Sequence, residues 1–327
     1  MDWDRIWWSD THGPRAFIAA LAECVLCGES VHIVCKAGQS LRVSMRHAAR
    51  NVIDPSVTVR YVDAAQVSGE GIGLYLISEY TDHAKYRPNT EHWSEYLNRK
   101  GVLRSTLLWI HNIEYDFING LFKESRRLRG VCLYIIETDN EDLQLTGVKR
   151  INAGDYITEY DYLSLASRVA AEREDISGLW QRYLADLALE LHSGDVEQIV
   201  AFVENFEIHS MPMEHRTSIT DKAVWKAQLR SAFHLIEEAR NAFIKRNEQV
   251  ITDCLPELQF YQEISNPYDC ELGLLCSLTS AKRNDEGKKR LILTYDEYDE
   301  LHFLHNARNQ LAHNKCLTPN EMMRLLG

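Results

Sequence analysis

The sequence predicts an α/β region with a mostly parallel sheet up to about residue 150, followed by an all-helical region. Three observations carry this reading. Short apolar runs ("SVHIVC", "VTVRYVDA", "STLLWIH", "GVCLYIIETD") alternate with helical stretches. The runs are rich in β-branched and apolar residues, as expected of strands covered on both faces. Beyond residue 150 the strand signals stop and helical periodicity takes over.

Taken in order, "GPRAFIAALAECVLCG" has helical spacing and stops at Gly28. "SVHIVC" is a nearly continuous apolar strand, and a Gly/Ser loop leads from it into the helical run "LRVSMRHAARNVI". "VTVRYVDA" is the next strand; "EHWSEYLNRKG" and "FINGLFKESRRLRG" are helices around the buried strand of "STLLWIHNIEYDF", and "GVCLYIIETD" is the last strand expected. Then "EYDYLSLASRVAAERE", "ISGLWQRYLADLALELHSGD" and "VEQIVAFVENF" read as amphipathic helices. "EIHSMPMEHRTSITD" has no period and reads as a linker. A single long helix is expected over "KAVWKAQLRSAFHLIEEARNAFIKRNEQVITDC", closed by Pro256. A short segment around "CELGLLCSL", a charged loop "AKRNDEGKKR" and a terminal helix complete the chain. The expected divisions are residues 1–150, a helical lid and linker over 151–215, and a helical domain over 216–327.

Composition narrows the function classes. The chain of 327 residues is 45% hydrophobic and 26% charged, ordinary globular usage, and long enough for two domains. It has no run of eighteen apolar residues, so no membrane span is expected. The opening "MDWDRIWWSDTHGP" lacks the basic and apolar regions of a signal peptide. The eight cysteines lie mostly in apolar segments and read as buried thiols of a cytoplasmic protein. Cys24 and Cys27 form one C-x-x-C inside a helical run with no second pair at zinc spacing, so a structural role is expected. The net charge of −12 argues against strong duplex-DNA binding and leaves room for a focused RNA site or a protein partner.

Two stretches carry chemistry. The loop after "SVHIVC" reads "KAGQSLRVS", with Lys36, Gly38 and Ser40 placed to meet an anion at a helix N-terminus, or to make an ordinary strand-to-helix turn. "LLWIHNIEYDF" ends a strand with His111 and Asn112, followed by Glu114, and "YIIETD" ends another with Thr138. The order of elements over roughly residues 15–205 resembles the AAA-type branch of P-loop ATPases. Such a member would carry G-x-x-x-x-G-K-[ST] in the first loop and Asp-Glu where His111 and Asn112 stand. Neither is present, and both are needed to hold nucleotide, magnesium and water. The resemblance therefore implies a pseudo-ATPase module without cofactor. Arg126, Arg127 and Arg129 are candidates for trans-acting arginines, or simply a solvated helix end.

The second stretch is "ELHFLHNARNQLAHNKCLTPNE". At about 100° per residue, Phe303, Leu304, Ala307 and Leu311 share one side. His302, Asn309 and His313 share the other, with His305 nearby and Arg308 on the border. Histidine and asparagine, rather than Lys and Glu, suit proton transfer and contact with phosphate or ribose. "RNQLAH" matches the R-[polar]-x-x-x-H spelling of the HEPN superfamily, helical domains found in many ribonucleases of prokaryotic defence systems, and residues 220–327 resemble that fold. The resemblance implies a catalytic set of Arg308, Asn309 and His313, working without metal at the seam of a homodimer, or against a partner protein of a defence system. Lys282, Arg283, Lys288, Lys289 and Arg290 are candidate RNA-phosphate contacts, with His305, or else a solvated loop. Glu237 and Arg240 are expected to pair or to buttress the motif, and Glu271 is a candidate buried partner of Arg308. The expected activity is endoribonucleolytic. The alternative is a non-catalytic scaffold that binds a partner subunit through both modules.

Overall fold

The computed structural model describes residues 1–67, 71–113, 124, 126–143, 145, 147–207, 218–257, 264–280 and 290–327. The chain forms two compact units, Met1–Leu165 and Ala166–Gly327.

The first unit is built on a five-stranded parallel sheet. Its strands are β1 (Val31–Val34), β2 (Thr58–Asp63), β3 (Thr106–His111), β4 (Leu133–Thr138) and β5 (Lys149–Asn152), in the order β2-β3-β4-β1-β5. Interior strands β1 and β3 are buried almost throughout, whereas edge strands β2 and β5 each bury one residue, Val62 and Ile151. The strand signal therefore does not end at Thr138. The short, charged "KRIN" pairs with β1 through Val31↔Lys149 to Val34↔Asn152. An edge strand needs apolar residues on one face only, so β5 has no apolar run to announce it. A boundary at residue 150 would cut this strand.

The helices of this unit include α1 (Trp3–Asp10), α2 (His12–Leu26), α3 (Gln39–Val52), α4 (Ile72–Tyr80) and α5 (Trp93–Lys100). α1 and α4 are additional to the helices expected from the sequence. Asp2 caps α1, and Trp7 and Trp8 are buried, with Trp8 Nε1 donating to the carbonyl of Leu41 at 2.8 Å. On α4, Gly73 lies against the Trp93 ring. A Cβ there would come within 2.3 Å of it, so only glycine allows the approach. The end of α2 is set, as expected, by Gly28 at φ +73°.

Topology locates this unit's crevice. The chain leaves β1 toward β2, passing β4 and β3, and leaves β4 toward β5, passing β1. Connections from adjacent strands thus depart in opposite directions, and the carboxyl ends of β1 and β4 flank a topological switch point.

The second unit is helical. α6 (Glu159–Ala171) contains the division between the units, and α7 (Gly178–His192), α8 (Val196–Glu204), α9 (Ser218–Arg246), α10 (Glu248–Cys254), α11 (Leu272–Leu278), α12 (Tyr295–Ala312) and α13 (Pro319–Leu326) follow. α9 packs against α7, α12 and α13. The expected lid helices α7 and α8 therefore belong to the C-terminal unit. α7 buries Trp180, Tyr183, Leu184, Leu187 and Ala188, too wide an apolar surface for a peripheral helix. The expected long helix is interrupted at Asn247, whose side chain donates to the carbonyl of Phe243 at 3.0 Å, the local competition that makes Asn a helix breaker. The motif helix α12 is not the last one. α13 follows, opened by a capping box of Thr318 and Glu321 with Pro319 at its first position.

Candidate functional site

In the C-terminal unit, α12 buries Leu301, Leu304, Ala307 and Leu311. Phe303, expected on that side, is only half-buried, with the Arg324 guanidinium over its ring at 4.1 Å. The helix ends at His313, and Asn314 follows at φ +58°. The N–H of Lys315 donates to the Gln310 carbonyl at 2.9 Å and that of Asn314 to the Leu311 carbonyl at 3.2 Å, a Schellman closure with asparagine in the left-handed position. Two side chains of α9 fix this turn. Trp225 Nε1 donates to the Leu311 carbonyl at 2.7 Å. Fully buried Gln228 donates through Nε2 to the Leu317 carbonyl at 3.0 Å and accepts the Leu317 N–H through Oε1 at 2.7 Å. His313 and Lys315 therefore project, exposed, from a turn whose backbone is held by buried hydrogen bonds.

Those two residues join Asn306, Asn309, Gln310 and Glu321 around a recess of about 360 Å³. Asn309 and His313 are thus brought together as expected. Asn309 Nδ2 lies 2.9 Å from His305 Nε2, and His305 sits against Gly273, where a Cβ would be 3.2 Å from that nitrogen. Burial, followed by the charges of His302 and Arg308, holds the His305 imidazole below its ordinary pKa. Arg308 is not in the recess lining. Its guanidinium pairs with Glu271 at 3.4 Å, and Glu271 is 70% exposed, so it is a surface partner rather than a buried one. Glu237 and Arg240 pair at 2.8 Å, and Arg240 also donates to the carbonyls of Tyr268 and Cys270, pinning the approach to α11. His302 stacks with Tyr298 at 4.1 Å between ring centres.

Of the proposed RNA contacts, Lys282, Arg283, Lys288 and Lys289 lie outside the described residues, and Arg290 is half-buried beside the buried Leu291. Gln310, Lys315 and Glu321 were missed as site residues. The "TPNE" capping signature marked the helix that brings Glu321 to the recess, where Glu321 accepts from Gln310 Nε2 at 2.7 Å.

In the N-terminal unit, the carboxyl ends of β1 and β3 border a recess of about 200 Å³ lined by Ala37, Gln39, Arg42, Arg46 and Asn112. Lys36 does not face it as a free cation, since its ammonium pairs with Glu141 at 3.1 Å. Ser40 donates to Asp4 at 2.6 Å. Gly38 is an ordinary extended N-cap at φ −60°, not a wrapped glycine. Asn112 lines the recess in the left-handed region at φ +55°. The His111 pKa is lowered, by burial first and the Arg46 charge second. Glu114 lies outside the described residues. Thr138 Oγ1 meets His32 Nε2 at 2.9 Å, so its hydroxyl is engaged within the sheet.

The main charges here belong to residues outside the expected set. Arg46 Nη1 contacts both oxygens of Glu137 at 3.0 Å, and Trp109 Nε1 donates to the same carboxylate at 2.7 Å. Glu137 is 1% exposed. Arg42 donates to the Ala37 carbonyl at 2.8 Å and approaches Asp139 at 3.6 Å. The spacing of Arg42 and Arg46, one turn apart on α3 beneath the loop, was the available signal.

Among the other candidates, Arg127 meets His92 Nε2 at 2.7 Å, Arg129 donates to the Gly147 carbonyl at 3.2 Å, and Arg126 is exposed. Cys24 is buried and Cys27 exposed, both as free thiols. No cluster of metal-ligating side chains occurs among the described residues, and none of their helices is long and apolar enough to cross a membrane. No protein-family model matches this chain, and no curated protein sequence matches it significantly.

Proposed function

We propose that this chain is a metal-independent endoribonuclease of the HEPN type, with its cutting site at the recess of Asn309 and His313 and a P-loop-like N-terminal unit that has lost hydrolysis. The observation that carries the reading is the shared recess. An exposed imidazole, a carboxamide and the Lys315 ammonium converge there on a turn held by Trp225 and Gln228. In this mechanism His313 takes the proton of a ribose 2′-hydroxyl. The freed oxygen attacks the adjacent phosphorus, the 5′-oxygen leaves with a proton, and a 2′,3′-cyclic phosphate remains. Asn309, steadied by His305, orients the ribose or the imidazole. Arg308 stabilises the phosphorane charge after exchanging the exposed carboxylate of Glu271 for phosphate, a small cost for a surface ion pair. A second copy of the unit would supply the matching acid across a two-fold seam. A role in prokaryotic defence belongs to the same resemblance.

For the N-terminal unit, the support is the parallel sheet with a recess beside the carboxyl ends of β1 and β3 and the pairing of its cations with Glu141, Glu137 and Asp139. Those ion pairs occupy the charges that phosphates would need. The unit then serves assembly or regulation without ATP turnover.

The test is incubation of the purified chain with total RNA in EDTA. The expected result is fragments ending in cyclic phosphate, lost in His313→Ala and Arg308→Ala. Intact RNA, or equal cutting by His313→Ala, overturns the reading. A scaffold role is the second reading, favoured by the engagement of Arg308 and Asn309 within the chain.

A further inference from the structure

Beyond the recess, α12 carries a second feature. Tyr295, Tyr298, His302, His305, Asn309 and His313 fall within about 80° of arc at about 100° per residue, along about 27 Å of helix. Tyr295 is 83% exposed and Tyr298 45% exposed. The carboxylates of the same helix lie outside this arc, and three of the four are engaged: Glu297 caps the helix, Asp299 pairs with Arg324 at 2.6 Å and Glu300 with Arg246 at 3.4 Å. The arc itself thus carries no carboxylate; it presents its rings at Tyr295, Tyr298 and His302, is met by Gly273 at His305, and ends at the polar recess that holds His313, Lys315 and Glu321.

We propose that this strip is a track for single-stranded RNA, with unpaired bases stacking on Tyr295 and on the Tyr298–His302 pair while the chain enters the recess at His313. The proposal rests on the reading of the recess as an RNA-cutting site. Aromatic faces accept any base, and such stacking needs an unpaired strand. Because anionic phosphates are repelled by carboxylates, a ring strip that bears none suits a nucleic-acid ligand; at its recess end Lys315 faces Glu321, which is engaged by Gln310, and Arg308 is paired with exposed Glu271. A seam between two copies would call for a desolvated apolar core. Here the rings carry polar tips, and of the aliphatic residues just before the helix Leu291 is buried, Leu293 half-buried and Ile292 81% exposed.

The probe is a short fluorescent 2′-O-methyl RNA, which has no free 2′-hydroxyl and so cannot be cut. Anisotropy should report about tenfold weaker binding by Tyr298→Ala, from the loss of one stacked base. Tyr298→Phe should bind within about twofold of wild type, and Tyr160→Ala, an exposed tyrosine of the other unit, should have no effect. A duplex of the same sequence should bind more weakly than the single strand. With cleavable RNA, Tyr298→Ala should raise KM and leave kcat nearly unchanged. Equal binding by Tyr298→Ala and wild type, preference for duplex, or conversion of a dimer to a monomer by Tyr298→Ala overturns the track. Ring-dependent binding without any cutting in EDTA would keep the track and remove the nuclease reading. His313-dependent cutting with Tyr298-independent binding would do the reverse.

Discussion

Gln228 on α9 holds the backbone of Leu317 with both ends of its carboxamide, at 3.0 Å and 2.7 Å, in a fully buried position. The contact imitates one rung of a β-ladder between a helix and the turn that carries His313 and Lys315. Replacing Gln228 with leucine keeps the volume and strands a buried N–H and a buried carbonyl, each costing about 1–3 kcal/mol. The expected outcome is a loss of about 2–6 kcal/mol in urea unfolding, with any RNA cutting reduced more than the folded fraction explains. Unchanged stability would show that the turn is held by other contacts.

Leu311 and His313 are two residues apart and should behave oppositely. Leu311 is 0% exposed and His313 is exposed at the helix end. Leu311→Ala should lower stability by about 2–5 kcal/mol. His313→Ala should leave the melting temperature nearly unchanged while abolishing RNA cleavage or cellular toxicity. A His313→Ala protein that unfolds, or that keeps its activity, would make the helix end architectural.

What the sequence showed, and what it hid, follows from how each feature is encoded. Buried strands β1, β3 and β4 were legible because a covered parallel strand must be apolar on both faces. β5 was not, because an edge strand carries Lys149 and Arg150 where a core strand would carry valine. The split of Leu304 and Leu311 from Asn309 and His313 was legible from helical spacing alone. The recess was not, because Lys315 and Glu321 reach it through a turn and a further helix. Its shape depends on Trp225 and Gln228, nearly ninety residues upstream. The position of Arg308 at Glu271 was half legible: the partner was foreseen, but not its exposure, since α11 begins only after Glu271 and leaves it as an open N-cap.

Glu137, Arg46 and Trp109 make a buried polar group whose removal should be expensive. Glu137→Ala would leave the Arg46 guanidinium, with a side chain only 11% exposed, without its counter-charge, and the Trp109 N–H without an acceptor. Breaking such a pair on one side costs about 3–5 kcal/mol. Glu137→Leu combined with Arg46→Met should recover part of this, because an apolar replacement removes both desolvation penalties together. Lys36→Ala, which breaks only an exposed pair with Glu141, should stay within about 0.5 kcal/mol of wild type. Equal effects of Glu137→Ala and Lys36→Ala in urea unfolding would contradict the buried-network account.

His32 should make stability fall in mild acid. The ring lies inside β1, fully buried, and burial first, then the Arg150 charge, holds its pKa down to about 4 against an ordinary 6.5. More than about one pH unit above 6.5 the ring is neutral in both folded and unfolded chains and the dependence vanishes. Between about 4 and 6.5 the unfolded chain binds a proton that the folded chain refuses, so stability declines as pH falls through that window. The full decline from this residue is about 3 kcal/mol. His32→Gln keeps a side-chain partner for Thr138 and removes the titration. Urea unfolding at pH 7.5, 6.5, 5.5 and 4.5 should give a wild-type curve that drops toward the variant's as pH falls, with the difference between them levelling off below pH 4. A constant difference across that series would mean that His32 binds its proton equally well in the folded and unfolded chains, and that the pairing with Thr138 does not fix a neutral ring.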